Sequence, residues 1–273
     1  MIGSILLLAS CLCGVVPERQ DDFFWENDLF GMRAYGPSDA HAWSGLDIFN
    51  KMSNETSVGY LLKNHDTCGN WHVTPWKGIL DNYAVGAGRG VGGVAVFGDG
   101  EWKTYANWEK ARVIQANEAC CEFELTYPAF SALGKMTYHI TLRKGDRFFK
   151  NTVTFEKDLP KDYRVGPGLD VNPARGHDGA LFSDPSFGGV VLFEKDRGPV
   201  EGATATAVFL DPADVAGCRV ETDSLGCRIL TLKKKSFTYW AGAAWSRAGQ
   251  ITDFDQWLTV VRKFRAQLEE ERK

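Results

Sequence analysis

The chain has 273 residues, 44% hydrophobic and 24% charged, with a formal net charge of −4 and a pI near 5.8. That length suits one large all-β domain or two ordinary ones and can bury a core without metal or disulfide staples. Mild acidity without a basic stripe excludes the electrostatic footprint of a nucleic-acid partner.

The chain opens on "ILLLASCLCGVV", residues 5–16. The stretch is too short to span a membrane and lacks the basic flank of a secretory signal. Two readings of residues 1–15 stay open. One is a buried strand. The other is a lipoprotein-like signal in which Leu8-Ala9-Ser10 precedes a lipidated Cys11, so that membrane contact is made only through that anchor. Next comes "VPERQDDFFWENDLFGMRAYGP", Val16 to Pro37, which sets Glu18, Arg19, Asp21, Asp22, Glu26, Asn27, Asp28 and Arg33 among aromatic residues. Charges in such company predict buried ion pairs, with a polar pocket wall as the functional alternative.

Residues 63–90 hold His65, Trp71, His72, Trp76, Lys77, Asp81, Tyr83 and Arg89 with glycines interleaved and no regular period. This composition reads as a functional loop or as a surface loop whose polar groups cap turns. The segment runs into Gly88-x-Gly90-x-x-Gly93, which imitates a dinucleotide fingerprint. That fingerprint needs a helix after the glycines. Here "VAVF" follows and reads as a strand, so no nucleotide is expected. The glycines are assigned to tight turns or close backbone approach.

Beyond residue 120 the chain alternates apolar and polar residues. In "KMTYHITLRKGDRFFKNTVTFEKD", Met136, Tyr138, Ile140 and Leu142 share one face, and Thr137, His139, Thr141 and Arg143 the other. Lys144-Gly145-Asp146 turns the chain, and Phe149, Val153 and Phe155 continue on the return strand of a β-hairpin. Further short strands read at "CEFELTY", "GGVVLFEK", "TATAVFLD", "CRVETD", "CRILTLKKK" and "FTYWAGAAW". Adjacent Cys120 and Cys121 should point to opposite faces. Cys218 and Cys227 flank a turn and are candidates for a disulfide. The loop from Gly166 to Pro185 carries Asp170, Arg175, His177 and Asp178, either an ordinary long turn or the edge of a site. At the C-terminus Thr252 and Asp255 suggest a capping box, and Trp257, Leu258, Val261 and Phe264 recur at helical spacing. The expected fold is all-β: one large antiparallel β-sandwich over residues 16–273 with a short C-terminal helix. Gly-x-Ser-x-Gly, Cys-x-x-Cys and His-Glu-x-x-His are all absent from the sequence, and no metal or cofactor is expected.

These segments carry a resemblance. "VPERQDDFFWENDLFGMRAYGP", "SGLDIFNK", "NWHVTPWKGILDNYAVGAGRGVGGVAVF" and "WSRAGQITDFDQWLTVV" occur in the order used by a bacterial family, domain of unknown function 4861. The resemblance implies a galactose-mutarotase-like β-supersandwich. It also implies glycan utilisation, a periplasmic or secreted location, and action on uronic-acid oligosaccharides by β-elimination of the dehydratase or lyase type. Family members usually carry a β-rich segment before the "PER" signature, so the chain is expected to be truncated relative to them or to lack a sheet edge. Their Tyr-His pair and Gly-Leu-Asp-x-Tyr run are replaced here by Trp71-His72 and Ile79-Leu80-Asp81-Asn82-Tyr83; His72, Asp81 and Tyr83 occupy matching positions.

On that basis β-elimination would use His72 as base, Tyr83 as acid, Arg89 to neutralise the uronate carboxylate and Asp81 to orient His72, with His177 as reserve base. Trp71, Trp76, Lys77, His139, Arg143 and Arg175 would hold the oligosaccharide. The alternatives are a non-catalytic glycan-binding module that stacks sugar on Trp71, Trp76 and Trp102, and a mutarotase or epimerase on the same fold.

Overall fold

A computed structural model describes residues 11–52, 57–210, 214 and 219–271. The first strands are β1 (Leu12–Val16), β2 (Asp22–Glu26), β3 (Phe30–Ala34), β4 (Leu46–Lys51), β5 (Ile79–Leu80) and β6 (Val91–Gly98). There follow β7 (Glu101–Thr104), β8 (Lys110–Ala116), β9 (Cys120–Tyr127), β10 (Met136–Arg143), β11 (Phe148–Phe155) and β12 (Arg164–Asp170). The last are β13 (Gly179–Asp184), β14 (Gly189–Glu194), β15 (Thr204–Leu210), β16 (Arg219–Thr222), β17 (Cys227–Thr231) and β18 (Ser236–Trp245). Helix α1 covers Val58–Lys63 and helix α2 covers Phe254–Glu270.

The strands form three antiparallel sheets: five strands in the order β1-β2-β3-β4-β5, eight in the order β13-β14-β15-β18-β11-β10-β9-β8, and five in the order β16-β17-β12-β6-β7. The alternation read from sequence sets the faces. Met136, Tyr138, Ile140 and Leu142 of β10 are buried while Thr137, His139, Thr141 and Arg143 turn outward. Phe149, Val153 and Phe155 of β11 join the same buried face. Against it lie Phe23, Trp25, Met32 and Ile48 of the first sheet and Val94, Val165 and Leu169 of the third, in one continuous core. Burying a side chain of this kind contributes about 1.5–3 kcal/mol. The expected all-β sandwich with a C-terminal helix is the architecture of the chain.

Two helices cover the outer faces. Helix α2 lays Trp257, Leu258 and Val261 on Phe148, Phe209 and Trp240 of the eight-stranded sheet. Trp257 stacks on Phe148 with ring centroids 5.4 Å apart and donates its indole N–H to Thr206 O at 3.0 Å. The cap of α2 differs from the expected one. Asp253, not Thr252, is the N-cap and accepts the Gln256 N–H at 2.9 Å, while Gln256 Oε1 accepts the Thr252 N–H. The Asp253 carboxylate, one residue nearer the helix, takes the capping role. Helix α1 packs Val58, Leu61 and Leu62 with Phe49, Trp71 and Ile79 outside the first sheet.

Strand β6 begins within the glycine pattern, at Val91, and runs on past Gly93, so the nucleotide-like pattern has no helix behind it. A Cβ on Gly88 would lie 2.2 Å from Asp170 Oδ2. One on Gly90, at φ +59, would lie 1.9 Å from Leu46 O, and one on Gly93 2.4 Å from Arg89 O. These glycines let the chain press against a carboxylate and a neighbouring strand.

Residues 1–10 of the N-terminal segment lie outside the described residues; Cys11 is buried in the shared core and β1 follows it. Cys218 also lies outside them, whereas Cys227 is a free thiol that donates to Asp170 Oδ1 at 2.8 Å.

Candidate functional site

The inner face of the first sheet takes Phe23 and Trp25, so the alternating residues Asp22, Phe24 and Glu26 fall on the outer face. Strand register places Arg33 opposite Asp47 across β3–β4 and opposite Phe24 across β2–β3. The Arg33 guanidinium meets three carboxylates: Asp47 at 2.8 Å, Asp81 at 3.2 Å and Asp22 at 3.3 Å. Tyr35 donates its hydroxyl to Asp47 Oδ2 at 3.1 Å, and Asp22 accepts the Gly36 N–H at 3.0 Å. All five side chains are buried. Three acids around one cation leave an excess of negative charge. Burial, reinforced by Asp47 and opposed by Arg33, raises the Asp81 pKa well above its usual range; burial likewise raises that of Asp22. The charged stretch from Val16 to Pro37 therefore supplies a buried ion-pair network, extended by Lys51, which pairs with Glu26 at 2.7 Å.

His72 stands at the mouth of this network, its side chain 49% exposed. Its Nδ1 lies 3.0 Å from Asp81 O and 3.3 Å from Asp81 Oδ2, and its ring lies 3.9 Å from the Trp71 ring. Burial lowers the His72 pKa below its ordinary value, helped by the Arg33 and Arg19 charges and opposed by the bond to Asp81 O. The imidazole is therefore neutral near pH 7, with Nδ1–H donated to Asp81 and Nε2 left as the acceptor. Arg19, half-buried at the end of the 3-10 turn Pro17–Arg19, is near enough for its charge to act on Asp22, Asp81 and His72. The next two residues, Gln20 and Asp21, hold φ of 56° and 61°, and a Cβ on Gly36 would meet Gln20 O at 2.1 Å. Consecutive left-handed non-glycine residues store backbone strain, a cost concentrated at functional positions.

The other expected catalytic residues form a second polar group further along the same segment. The Tyr83 ring packs on His177 at 4.2 Å. Arg89 is 1% exposed and pairs with Asp223 at 2.8 Å, so its charge is neutralised inside the fold rather than offered to a substrate. Burial, then Asp170 and Glu194, raises the Tyr83 pKa and keeps the phenol protonated. His177 Nδ1 contacts Glu194 Oε1 at 2.7 Å and Nε2 contacts Ala84 O at 2.9 Å. Both partners only accept, so both ring nitrogens donate and the ring is an imidazolium. Burial opposes that charge, but the Glu194 hydrogen bond and charge outweigh it and the pKa is raised. A base needs a free lone pair, and His177 has none to give. Tyr83 Oη, Arg89 Nε and Nη1, and Asp170 Oδ2 are buried without a partner among the described residues. Each such group costs about 1–3 kcal/mol unless water or a ligand meets it.

The expected sugar-holding residues are dispersed. Trp71 is buried between Phe49 and His72 and presents no free face. Trp76 stacks with Tyr60 at 5.7 Å and carries Lys77 over its ring at 4.9 Å. Arg175 Nη1 donates to Val85 O at 2.6 Å. His139 sits on the outer face of the eight-stranded sheet, 2.7 Å from Glu122. Arg143 lines a separate groove of about 440 Å³ with Lys150, Trp240 and the end of α2. Another cleft, of about 470 Å³, lies between Arg164, Arg219, Lys233 and Lys234. Only strand register brings Arg33, Tyr35 and Asp47 beside Asp81, so local sequence does not mark them as its partners. Among the described residues no group of three or more His, Cys, Asp or Glu is arranged to hold a metal, and no helix is long and apolar enough to cross a membrane.

The architecture is that of an all-β sandwich protein with a buried acid network and a half-exposed histidine on the outer face of its first sheet. A family model described as a domain of unknown function, DUF4861, matches residues 9–273, and the chain belongs to that family. It is similar to uncharacterized protein P7 of Formosa agariphila, 25% identical over 277 residues that cover 94% of this chain and 68% of that protein. Among solved structures it is similar to the galactosidase domain of an alpha-galactosidase-sucrose kinase, with a TM-score of 0.45 and 9% identity. That match covers 85% of this chain, which spans 42% of the other.

Proposed function

We propose that the chain is a carbohydrate-active enzyme that eliminates across a uronate unit of an oligosaccharide, with His72 as the base. The observation that carries the reading is the half-exposed imidazole held through Nδ1 by Asp81 and kept neutral by its surroundings. The family resemblance supports the uronate, and the setting of His72 supports its role as base.

His72 Nε2 takes the hydrogen on the carbon beside the carboxylate. The Arg19 guanidinium, rather than that of Arg89, offsets the charge that develops on the carboxylate oxygens. The neighbouring carbon–oxygen bond breaks as the carbon–carbon double bond forms. The proton on His72 passes to the departing oxygen, which requires hydrogen and leaving group on one face of the ring. A hydroxyl leaves as water in a dehydratase; a glycosidic oxygen leaves as the next sugar in a lyase. Tyr83 supports the segment from within and takes no part in the transfer.

The test is incubation of the full chain with a panel of uronate oligosaccharides, following the ultraviolet absorbance of the conjugated alkene. The wild type should produce it, and His72→Ala should lose roughly 10²–10⁴-fold in rate with oligosaccharide binding retained. Full activity in His72→Ala overturns the assignment. Binding without the chromophore would make the protein a glycan-binding module, and anomer exchange without it a mutarotase or epimerase.

A further inference from the structure

Four of the seven cysteines gather where the first sheet meets the eight-stranded one. Cys11 and Cys13 lie two residues apart, so β1 turns both toward the shared core, Cys11 fully buried and Cys13 half-buried against it. Cys121 of β9 points into the same core, and its neighbour Cys120 faces the other way, as alternation requires. The Cα atoms of β1 come within 8 Å of those of β8 and β9. Cys13 Sγ lies 4.0 Å from Gln115 O on β8, and the next residue, Ala116, is the ladder partner of Cys121. Cys13 and Cys121 therefore face the same core beside one another, close enough for each thiol to act on the other's pKa. All four thiols are free.

We propose that Cys13 and Cys121 are a redox pair that closes into a disulfide, fastening the edge strand of the first sheet to the eight-stranded sheet. Two thiols that face one core from strands this close are placed to reach the Cα separation of about 4.4–6.8 Å that a disulfide takes. The pair also has a division of labour. The interaction with Cys121 lowers the Cys13 pKa against the effect of burial, whereas Cys13 and burial raise the pKa of Cys121. Cys13 is thus the more acidic and the more exposed thiol, the features of an attacking sulfur. Cys11 is pushed up to about 12 by burial and then by Cys120, and stays a thiol.

The oxidant is a small-molecule disulfide. The Cys13 thiolate attacks one of its sulfurs, forms a mixed disulfide and releases one thiol. Cys121 then loses its proton, attacks the Cys13 sulfur and expels the second thiol. Two protein thiols become one disulfide, and one reagent disulfide becomes two thiols.

The test treats the full chain with oxidised glutathione, alkylates the remaining thiols and maps the peptides by fragmentation mass spectrometry. A cross-link between Cys13 and Cys121 is expected, retained in Cys120→Ser and lost in Cys13→Ser. Because the bond closes a long loop, oxidation should raise the melting temperature of the wild type by about 5–15 °C and leave Cys13→Ser unmoved. Persistent alkylation of both Cys13 and Cys121 after oxidation would overturn the proposal. So would a cross-link joining Cys13 to Cys120, or Cys121 to Cys11. The wild-type peptide map decides the matter even if a serine variant folds poorly.

Discussion

Two histidines from neighbouring loops end in opposite charge states, and the difference lies in what their nitrogens meet. His72 has one nitrogen held and a half-exposed ring, with two arginine charges nearby. As a base it must be deprotonated, so the elimination rate should rise with pH through a value below about 6.5, the ordinary histidine pKa. Replacing Arg19 with Ala removes one charge that depresses that pKa, so the acid limb of the rate profile should shift to higher pH. A limb that does not move would separate Arg19 from the site. His177 donates from both nitrogens, and its folded pKa is raised. A raised folded pKa gives stabilisation that is fully present below the unfolded value and is lost as pH rises through the folded one. Urea denaturation should therefore find His177→Gln less stable by about 3 kcal/mol in mild acid, where a buried ion pair is broken. The gap to wild type should narrow in alkaline buffer; a gap independent of pH would mean a neutral His177.

At the scale of the elements, the glycines of the nucleotide-like pattern serve packing between strands. Gly88→Ala would drive a methyl group into the Asp170 carboxylate, which already accepts the Arg89 N–H at 2.7 Å. The expected loss is about 1–3 kcal/mol by thermal or urea denaturation. Gly90→Ala should cost more, since it adds a left-handed backbone to a clash with Leu46 O. Wild-type stability in both variants would refute this account. The residues that make the turn and the absence of a helix after it were legible from local sequence; Asp170 as the neighbour was not, because it arrives on β12 from a distant part of the chain. The same limit separates the β10–β11 hairpin from the acid network. Alternation and Lys144-Gly145-Asp146 announce the hairpin directly, whereas Arg33 meets Asp47 and Asp81 only once β2, β3 and β4 are in register and the loop after α1 has folded back. Local pattern carries faces and turns, but not which faces meet. For that reason one stretch of sequence points to His72 with Asp81, whereas nothing local to Arg89 shows that Asp223, far along the chain, holds it.

Over the whole molecule the three sheets share one core, with buried residues from Phe23 to Ala243 in continuous contact. No sheet keeps a core of comparable size to itself. Disrupting any one face should therefore be felt by all three, and urea unfolding of residues 16–273 should be a single cooperative transition. Tryptophan fluorescence and far-ultraviolet circular dichroism should change together. Trp257 provides the sharper form of the test because it lies outside the shared core, on the far side of the eight-stranded sheet. Trp257→Ala removes its packing on Phe148 and its bond to Thr206 O, a loss of about 3–5 kcal/mol. In one cooperative unit that loss moves the whole transition to lower urea and leaves its slope unchanged. If α2 and the sheet behind it unfolded as a separate unit, Trp257→Ala would instead split the curve and leave the upper transition in place. The buried rows on both faces of β18 favour the first outcome, since Tyr239 and Ala241 enter the shared core while Trp240 meets α2. A strand cannot release one face and keep the other.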